Sequence, residues 1–193
     1  MKRILITGFD PFGGSQVNPS WLAVEQLPEV IGEFMLRKRM LPTIYGQAAQ
    51  IVLEEAAAFN PDVILCIGVA ANRSAVTPER IAVNIRDARI ADNAGNCPQG
   101  EPIAADGPAA YFATVPVEKM VGAIQAVQLP AAVSNTAGTF VCNDTLYSLL
   151  HHFSGTATRV GFIHVPDIPE QAECGLPLKQ TVAALTAAIN ACE

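Results

Sequence analysis

One cysteine stands in a sequence setting that favours nucleophilic chemistry. Residues 134–142 lead from a short apolar stretch through a turn of small residues into a helical pattern. Cys142 therefore falls in the first turn of the predicted helix, where free N–H groups and the helix dipole stabilise a thiolate, and Thr139 is placed to cap that helix. The alternative is a purely structural role, because Cys142 shares one helical face with Leu146 and Leu149.

A cysteine nucleophile needs a base, and the chain has three histidines. His151 and His152 lie near the far end of the helix that carries Cys142, roughly 13 Å or more along its axis. His164 instead ends an apolar strand pattern, at the same predicted sheet edge as the turn at residues 135–139. It can therefore reach Cys142 in space, although a buried structural histidine is the alternative interpretation.

A third group is required to orient the imidazole of such a histidine. Glu79 begins a predicted strand directly after a loop, and Asp92 and Asp167 are the other acidic candidates. The sequence pattern alone does not rank the three. Glu79 is also placed to form an ordinary surface ion pair with its neighbour Arg80.

The glycine-rich loop at residues 8–14 has the glycine spacing of a phosphate-binding loop but lacks its chemistry. Gly14 stands where the phosphate-binding lysine belongs, and Pro11 removes a backbone donor, and both argue against a nucleotide site. Phe9 and Phe12 are unusual residues for a turn. They indicate the wall of an apolar pocket, with a simple tight turn as the alternative.

The other cysteines and the remaining histidines offer no second site. Cys66 lies within an apolar strand pattern, and the other three cysteines lack a strand–turn–helix setting: Cys97, Cys174 and Cys192. An odd number of cysteines without a CxxC pair argues against a disulfide framework and favours reduced thiols in a cytoplasmic protein. Cys142, His151 and His152 cannot converge on one ion from a single helix, so we expect no metal site.

Short apolar runs alternate with helical patterns along the chain. Strands are predicted at residues 4–7, 34–41, 62–68, 79–85, 131–134 and 159–165. A first helix is predicted to follow the start signal at residues 18–20. Further helices are predicted at 47–59, 117–127 and 140–153, and a last one carries Leu178, Val182, Leu185 and Ile189 on one face. This alternation predicts an α/β fold: a single domain over residues 1–193, with a mostly parallel twisted sheet and helices on both faces. Residues 86–108 show no sustained period and are expected to form a functional loop or small hairpins.

Composition narrows the class of protein further. Half of the 193 residues are apolar, 16% are charged and the formal net charge is −6. This composition excludes intrinsic disorder and argues against binding nucleic acid or an anionic membrane through a basic face, since the only basic cluster is at residues 37–39. No apolar run approaches the length of a membrane span, and the N-terminus lacks a signal-peptide core, so we expect a soluble intracellular protein.

Six segments together carry a specific resemblance. They are GFDPFGG at 8–14, NPSW at 18–21, TPERIAVN at 77–84, DARIADN at 87–93, SNTAGTFVCN at 134–143 and GFIHVP at 161–166. In this order, over essentially the whole chain, they resemble the pyroglutamyl peptidase I (pyrrolidone-carboxylate peptidase) family. The resemblance implies a single α/β domain without a cofactor that removes an N-terminal pyroglutamyl (5-oxoproline) residue from peptides, inside the cell and commonly as a homotetramer.

The resemblance also implies roles for individual residues. Cys142 would be the nucleophile, His164 the base and Glu79 the group that orients His164, with Asp92 as second choice. The pocket for the lactam ring would be formed by Phe9, Phe12, Thr43, Ile90, Phe140 and Val141, and Arg89 would help to stabilise the oxyanion.

One position departs from the family pattern. Many bacterial members read GQAGGR after the third strand, whereas this chain reads GVAANR at residues 68–73. Val69 cannot make the side-chain hydrogen bond that a glutamine would offer. We therefore expect recognition of the ring amide to rely on other groups.

Overall fold

Six strands form the central sheet of the computed structural model, which describes residues 1–193. In spatial order they are β2 (Val30–Ile31), β3 (Phe34–Leu41), β1 (Lys2–Phe9), β4 (Val63–Val69), β8 (Arg159–Val165) and β5 (Thr77–Pro78). The four inner strands run parallel, while β2 and β5 pair antiparallel at the two edges. The prediction of a mostly parallel sheet is confirmed.

Five helices cover both faces of this sheet. They are α1 (Pro19–Gln26), α2 (Gln47–Phe59), α3 (Val117–Ala126), α4 (Val141–His152) and α5 (Leu178–Asn190). One apolar core lies between the sheet and α1, α3 and α5, and a second lies beneath α2 and α4. Because both faces of β1, β4 and β8 are buried, these three strands consist of nearly continuous apolar residues, whereas β3 alternates buried and exposed positions along much of its length.

Local signals place several element boundaries where the sequence predicts them. The Asn18 side chain accepts a hydrogen bond from Ser20 N at 3.0 Å and so caps α1, which begins at Pro19. Helix α2 ends at Asn60, which adopts a left-handed conformation with φ of 52°. Pro61 follows and prevents the helix from continuing.

Two predicted strands are wrong in the structure. Instead of one strand over residues 79–85, the chain forms β5 in the main sheet and then β6 (Ile81–Val83), which pairs with β7 (Ala110–Phe112) in a separate two-stranded sheet. Residues 131–134 form isolated bridges and no strand. Both stretches are too short to be stable alone, so their pairing depends on distant partners that periodicity does not reveal.

The long segment at residues 86–108 is held by polar side chains rather than by regular structure. An antiparallel bridge joins Arg86 to Glu101. The Asn84 side chain accepts hydrogen bonds from the backbone N–H groups of Ile103 and Ala104, and donates to carbonyls on the same segment. Its backbone is thereby fixed beside the carboxyl edge of the sheet.

None of the five helices combines the length and the apolar character that crossing a membrane would require.

Candidate active site

The register between β4 and β8 places His164 opposite Gly68 and Phe162 opposite Cys66. Side chains two residues apart on a strand point to the same face. Phe162 packs in the apolar core beneath α4, so His164 also points toward α4. The ring centroids of Phe162 and His164 are 4.8 Å apart.

Helix α4 brings Cys142 to the same corner of the sheet. A Cβ atom at Gly68 would lie 3.0 Å from Cys142 Sγ and 2.8 Å from Phe162 Cζ. Only glycine therefore leaves room for the sulfur at this point of β4. Because Gly68 is the cross-strand neighbour of His164, the sulfur and the imidazole share one corner.

His164 contacts one acidic side chain directly. His164 Nδ1 lies 2.7 Å from Glu79 Oε1, and both residues are buried. An ionised carboxylate only accepts hydrogen bonds, so Nδ1 carries the proton and Nε2 is left with the lone pair. Strand β5 positions Glu79, because Glu79 N donates to Phe162 O at 2.9 Å.

The other two acidic candidates make different contacts. Asp92 accepts hydrogen bonds from the backbone N–H groups of Tyr45, Ala94 and Asn96 and from the Asn96 side chain. Burial by itself would raise the pKa of Asp92, but these bonds outweigh it and lower that pKa. Asp167 accepts from Asn72 N at 3.3 Å. Of the three candidates, Glu79 is the one that contacts His164.

The surface ion pair between Glu79 and Arg80 does not form. Arg80 points away and bonds to Glu118 Oε1 at 3.0 Å and to Asn135 Oδ1 at 2.9 Å. The arginine that contacts Glu79 is Arg73, with Nη1 at 3.0 Å from Glu79 Oε1. Pattern reasoning missed Arg73, since its loop carries no local signal for this contact.

The environment of Cys142 favours the protonated thiol. Burial raises the pKa of Cys142 to about 12, and the negative charge of Glu79 acts in the same direction. Arg73 and the backbone N–H of Cys142 act in the opposite direction but more weakly. The start of α4 thus acts in the expected direction, but the desolvation of the thiol outweighs it.

The start of α4 presents free backbone donors. The predicted cap is wrong: Thr139 Oγ1 donates to Asp87 O at 2.7 Å, and the residue at the N-cap is Phe140, whose side chain cannot cap. The N–H groups of Val141, Cys142 and Asn143 have no backbone acceptor. Free donors at the helix start that carries the sulfur suit an oxyanion.

Cys142 opens onto a cavity of about 670 Å³. Six of the seven residues predicted to bind substrate line it: Phe9, Phe12, Thr43, Arg89, Ile90 and Phe140. The rings of Phe12 and Phe140 are 5.2 Å apart. The Val141 side chain does not line the cavity and is fully buried in the core, so the structure leaves its backbone as the part that can face a substrate. Val69 also lines the cavity and supplies an apolar side chain there.

A polar network that sequence reasoning missed holds the cavity wall. Asp10 Oδ1 accepts hydrogen bonds from Thr43 N and Thr43 Oγ1 at 2.8 Å and from Asn93 Nδ2 at 3.1 Å. Asp10 lies between Phe9 and Pro11 in the glycine-rich loop. An aspartate in a turn was the available signal, but its partners are more than thirty residues away in the chain.

The remaining histidines and cysteines lie outside this corner or are enclosed. His151 Nδ1 is 2.9 Å from Tyr111 Oη at the other end of α4. Burial raises the pKa of the Cys66 thiol to about 12. All five cysteines are unpaired.

An α/β sheet with a cysteine, a histidine and a glutamate at the carboxyl edge of its strands, beside a deep cavity, has the architecture of a hydrolase. The chain belongs to the pyroglutamyl peptidase family, whose model, described as Pyroglutamyl peptidase, matches residues 2–193.

Relatives and solved structures agree with this assignment. The chain is 48% identical to the pyrrolidone-carboxylate peptidase of Escherichia fergusonii over 174 residues, which cover 89% of this chain and 81% of the relative. It superposes on the crystal structure of Bacillus amyloliquefaciens pyroglutamyl peptidase I with a TM-score of 0.96 and 43% identity, covering 100% and 97% of the two chains. For the pyrrolidone carboxyl peptidase of Thermococcus litoralis the TM-score is 0.95, with 35% identity and coverage of 100% and 93%.

Proposed function

We propose that this protein is a cysteine peptidase that hydrolyses the amide bond after an N-terminal pyroglutamyl residue. The observation that carries the proposal is the placement of Cys142 on the cavity, in the same corner as the hydrogen-bonded pair of His164 and Glu79. Membership of the pyroglutamyl peptidase family supports the substrate class.

The proposed reaction begins with a proton transfer. Because desolvation raises the pKa of Cys142, His164 Nε2 takes the thiol proton while the sulfur attacks the carbonyl carbon. Glu79 holds the opposite ring nitrogen and stabilises the imidazolium that forms. The carbonyl oxygen gains the negative charge and accepts hydrogen bonds from free N–H groups at the start of α4.

Two further steps complete the turnover. The imidazolium returns its proton to the leaving amine, the C–N bond breaks, and a thioester joins the pyroglutamyl group to Cys142. His164 then removes a proton from water, which attacks the thioester carbonyl. The C–S bond breaks, pyroglutamate leaves and the thiol is restored.

The cavity suits a pyroglutamyl group for a physical reason. This residue has no free amine, so its flat neutral ring requires apolar walls with a few polar contacts rather than an acidic pocket. Phe9, Phe12 and Phe140 supply such walls. The volume of about 670 Å³ exceeds what a single five-membered ring occupies and leaves room for the following residue of a peptide.

Val69 shapes how the ring amide is recognised in this proposal. An apolar valine side chain lines the cavity after β4 and offers no hydrogen bond. Other polar groups of the cavity wall, from the backbone or from side chains such as Thr43 and Gln171, must therefore meet the donor and the acceptor of the lactam.

The same proposal extends to the state of the protein in the cell. We propose one peptidase domain over residues 1–193, acting as a cytoplasmic homotetramer on pyroglutamyl peptides and not on nucleic acid or membranes. The resemblance to the family supports the tetramer. The five unpaired cysteines support a reducing compartment. The net charge of −6 argues against a polyanionic partner. Light scattering on the purified protein tests the tetramer, and a single cooperative unfolding transition tests the single domain.

The decisive experiment measures release of aminomethylcoumarin from its pyroglutamyl amide, beside the prolyl and glutamyl amides. We expect the folded, reduced protein to cleave the pyroglutamyl amide alone, and Cys142→Ser to cleave none. Iodoacetamide should inactivate the enzyme irreversibly, and 2-pyrrolidone should slow that inactivation by occupying the cavity. Cleavage of a different amide would indicate another thiol hydrolase, and no cleavage of any would indicate a binding domain.

A further inference from the structure

Arg73 ties together three chain segments behind the proposed catalytic groups. Its Nη1 lies 2.6 Å from Thr77 Oγ1 and 3.0 Å from Glu79 Oε1, and its Nη2 lies 3.3 Å from Thr136 O. The loop after β4, strand β5 and the turn before α4 are thus joined by one guanidinium. Arg73 does not line the cavity, so any effect it has on the reaction must pass through these partners.

The Glu79 carboxylate depends on this contact. Glu79 is fully buried, and its charged partners within ion-pair distance are Arg73 and His164. Both donate to Oε1, whereas Oε2 is buried without a hydrogen-bond partner. A buried carboxylate that faced only a neutral imidazole would be strongly disfavoured as an anion.

We propose that Arg73 is a positioning residue for the hydrolysis, which keeps Glu79 ionised with Oε1 on His164 Nδ1 and so leaves His164 Nε2 free to take the Cys142 proton. This inference rests on the proposed function. Arg73 also bonds to Thr77, the residue that pairs with His164 across β5 and β8, so the same guanidinium steadies the backbone on both sides of the pair.

The charges around the pair determine the direction of the expected pH effect. The titratable and charged groups at the pair are Cys142 from α4 and Arg73 from the loop after β4, and Cys66 on β4 acts on Cys142. On the next residues of α4, Asp144 is already engaged by Arg86 at 2.6 Å. Arg73 is the positive group, and removing a positive charge favours the protonated form of its neighbours. Losing Arg73 should therefore move the acidic limb of the activity profile to higher pH.

The experiment compares Arg73→Met, Arg73→Lys and a matched control, Arg80→Met. Arg80 is also a partly exposed arginine that bonds to the turn before α4, but it does not contact Glu79. For Arg73→Met we expect kcat on the pyroglutamyl amide to fall by about tenfold to a hundredfold, with little change in KM, and the acidic limb of kcat/KM to shift upward. Arg73→Lys should recover part of kcat and of the shift, and Arg80→Met should match the wild type.

A second readout does not depend on turnover. The rate at which iodoacetamide modifies Cys142, followed by peptide mass spectrometry because four other cysteines are present, should require higher pH in Arg73→Met than in the wild type. Wild-type protein that is alkylated but cleaves no pyroglutamyl amide would contradict the proposed function, and the alkylation profiles would still decide on Arg73.

Two outcomes would overturn the inference. The first is a wild-type pH profile and alkylation profile in Arg73→Met. The second is a loss of activity in Arg73→Met that comes with a lower melting temperature and an unmoved pH profile, since that result assigns Arg73 a purely structural role. Circular dichroism of every variant separates the two.

Discussion

The two flanks that meet at Cys142 are held in place by different means. One flank, the strand flank, consists of His164 on β8 and Glu79 directly after β5. Both residues are fully or almost fully buried, and backbone hydrogen bonds join their strands. The opposite flank is a wall built from loops, where Ile90 is 56% exposed. Proton transfer demands placement within a fraction of an ångström, whereas an apolar wall needs only shape.

The wall is nevertheless not loose, because a few polar bonds fix its loops. Asp10 connects the glycine-rich loop to Thr43 and Asn93. Asp92 connects the 86–108 segment to Tyr45, whose ring contacts Phe140 edge-on at 5.3 Å between centroids. We therefore expect changes in the strand flank to act mainly on kcat and changes in the wall to act mainly on KM.

The largest effect should follow from removing the sulfur at the boundary of the two flanks. Cys142→Ala should lower kcat/KM by about 10⁴-fold or more while the fold survives, since the cavity is retained but no covalent intermediate can form. Steady-state cleavage of the pyroglutamyl amide, with circular dichroism as the folding control, measures this. Near wild-type activity in Cys142→Ala would show that the nucleophile lies elsewhere.

Within the strand flank, substitutions of His164 and of Glu79 should lower kcat by different amounts. His164→Ala removes the proton acceptor and should lower kcat by about 10⁴-fold, whereas Glu79→Gln keeps the shape and should cost about 10²-fold. The comparison requires saturating substrate, so that kcat is read without KM. An effect of Glu79→Gln equal to or larger than that of His164→Ala would contradict a role limited to orientation.

We also expect kcat to fall when a substitution changes the spacing beside the strand flank without removing a functional group. Gly68→Ala would place a Cβ atom 2.8 Å from Phe162 Cζ and 3.0 Å from Cys142 Sγ, so the Phe162 ring must shift and the sulfur must give way by a few tenths of an ångström. We expect kcat to fall by about a hundredfold. Gly122→Ala is the matched control, because a Cβ atom there meets nothing within 4 Å and alanine suits a helix. Equal activity of the two variants would show that the corner tolerates displacement.

The smallest of these effects should come from the wall. Phe12→Ala removes a ring that packs against Phe140 and should raise KM by about tenfold with a smaller change in kcat. Phe112→Ala is the control, since Phe112 is 68% exposed on β7 and does not line the cavity. A Phe12→Ala variant with unchanged KM and reduced kcat would remove the distinction between the two flanks.

Sequence reasoning predicted the long elements well, because their periodicity is internal to each segment. The strand at Phe34–Leu41, the helix at Gln47–Phe59 and the strand at Arg159–Val165 have the predicted bounds. The helix predicted at 140–153 spans Val141–His152, so the positions of Cys142 at a helix start and of His164 near a strand end were predicted correctly. The strand predicted at 79–85 was wrong, since the chain leaves the main sheet after β5 and only Ile81–Val83 form a strand, in the second sheet.

By itself, the sequence determined which residues can do chemistry and at which edge of the sheet they gather, because both follow from residue type and local pattern. Only the tertiary structure shows that Glu79 and not Asp92 contacts His164, since β5 must pair with β8 before Glu79 can reach it. Tertiary structure also raises the pKa of the Cys142 thiol, because desolvation depends on everything packed around the sulfur. The contact of Arg73 with Glu79 also depends on tertiary structure, because it joins the loop after β4 to the residue that follows β5, and no local sequence pattern predicts that contact.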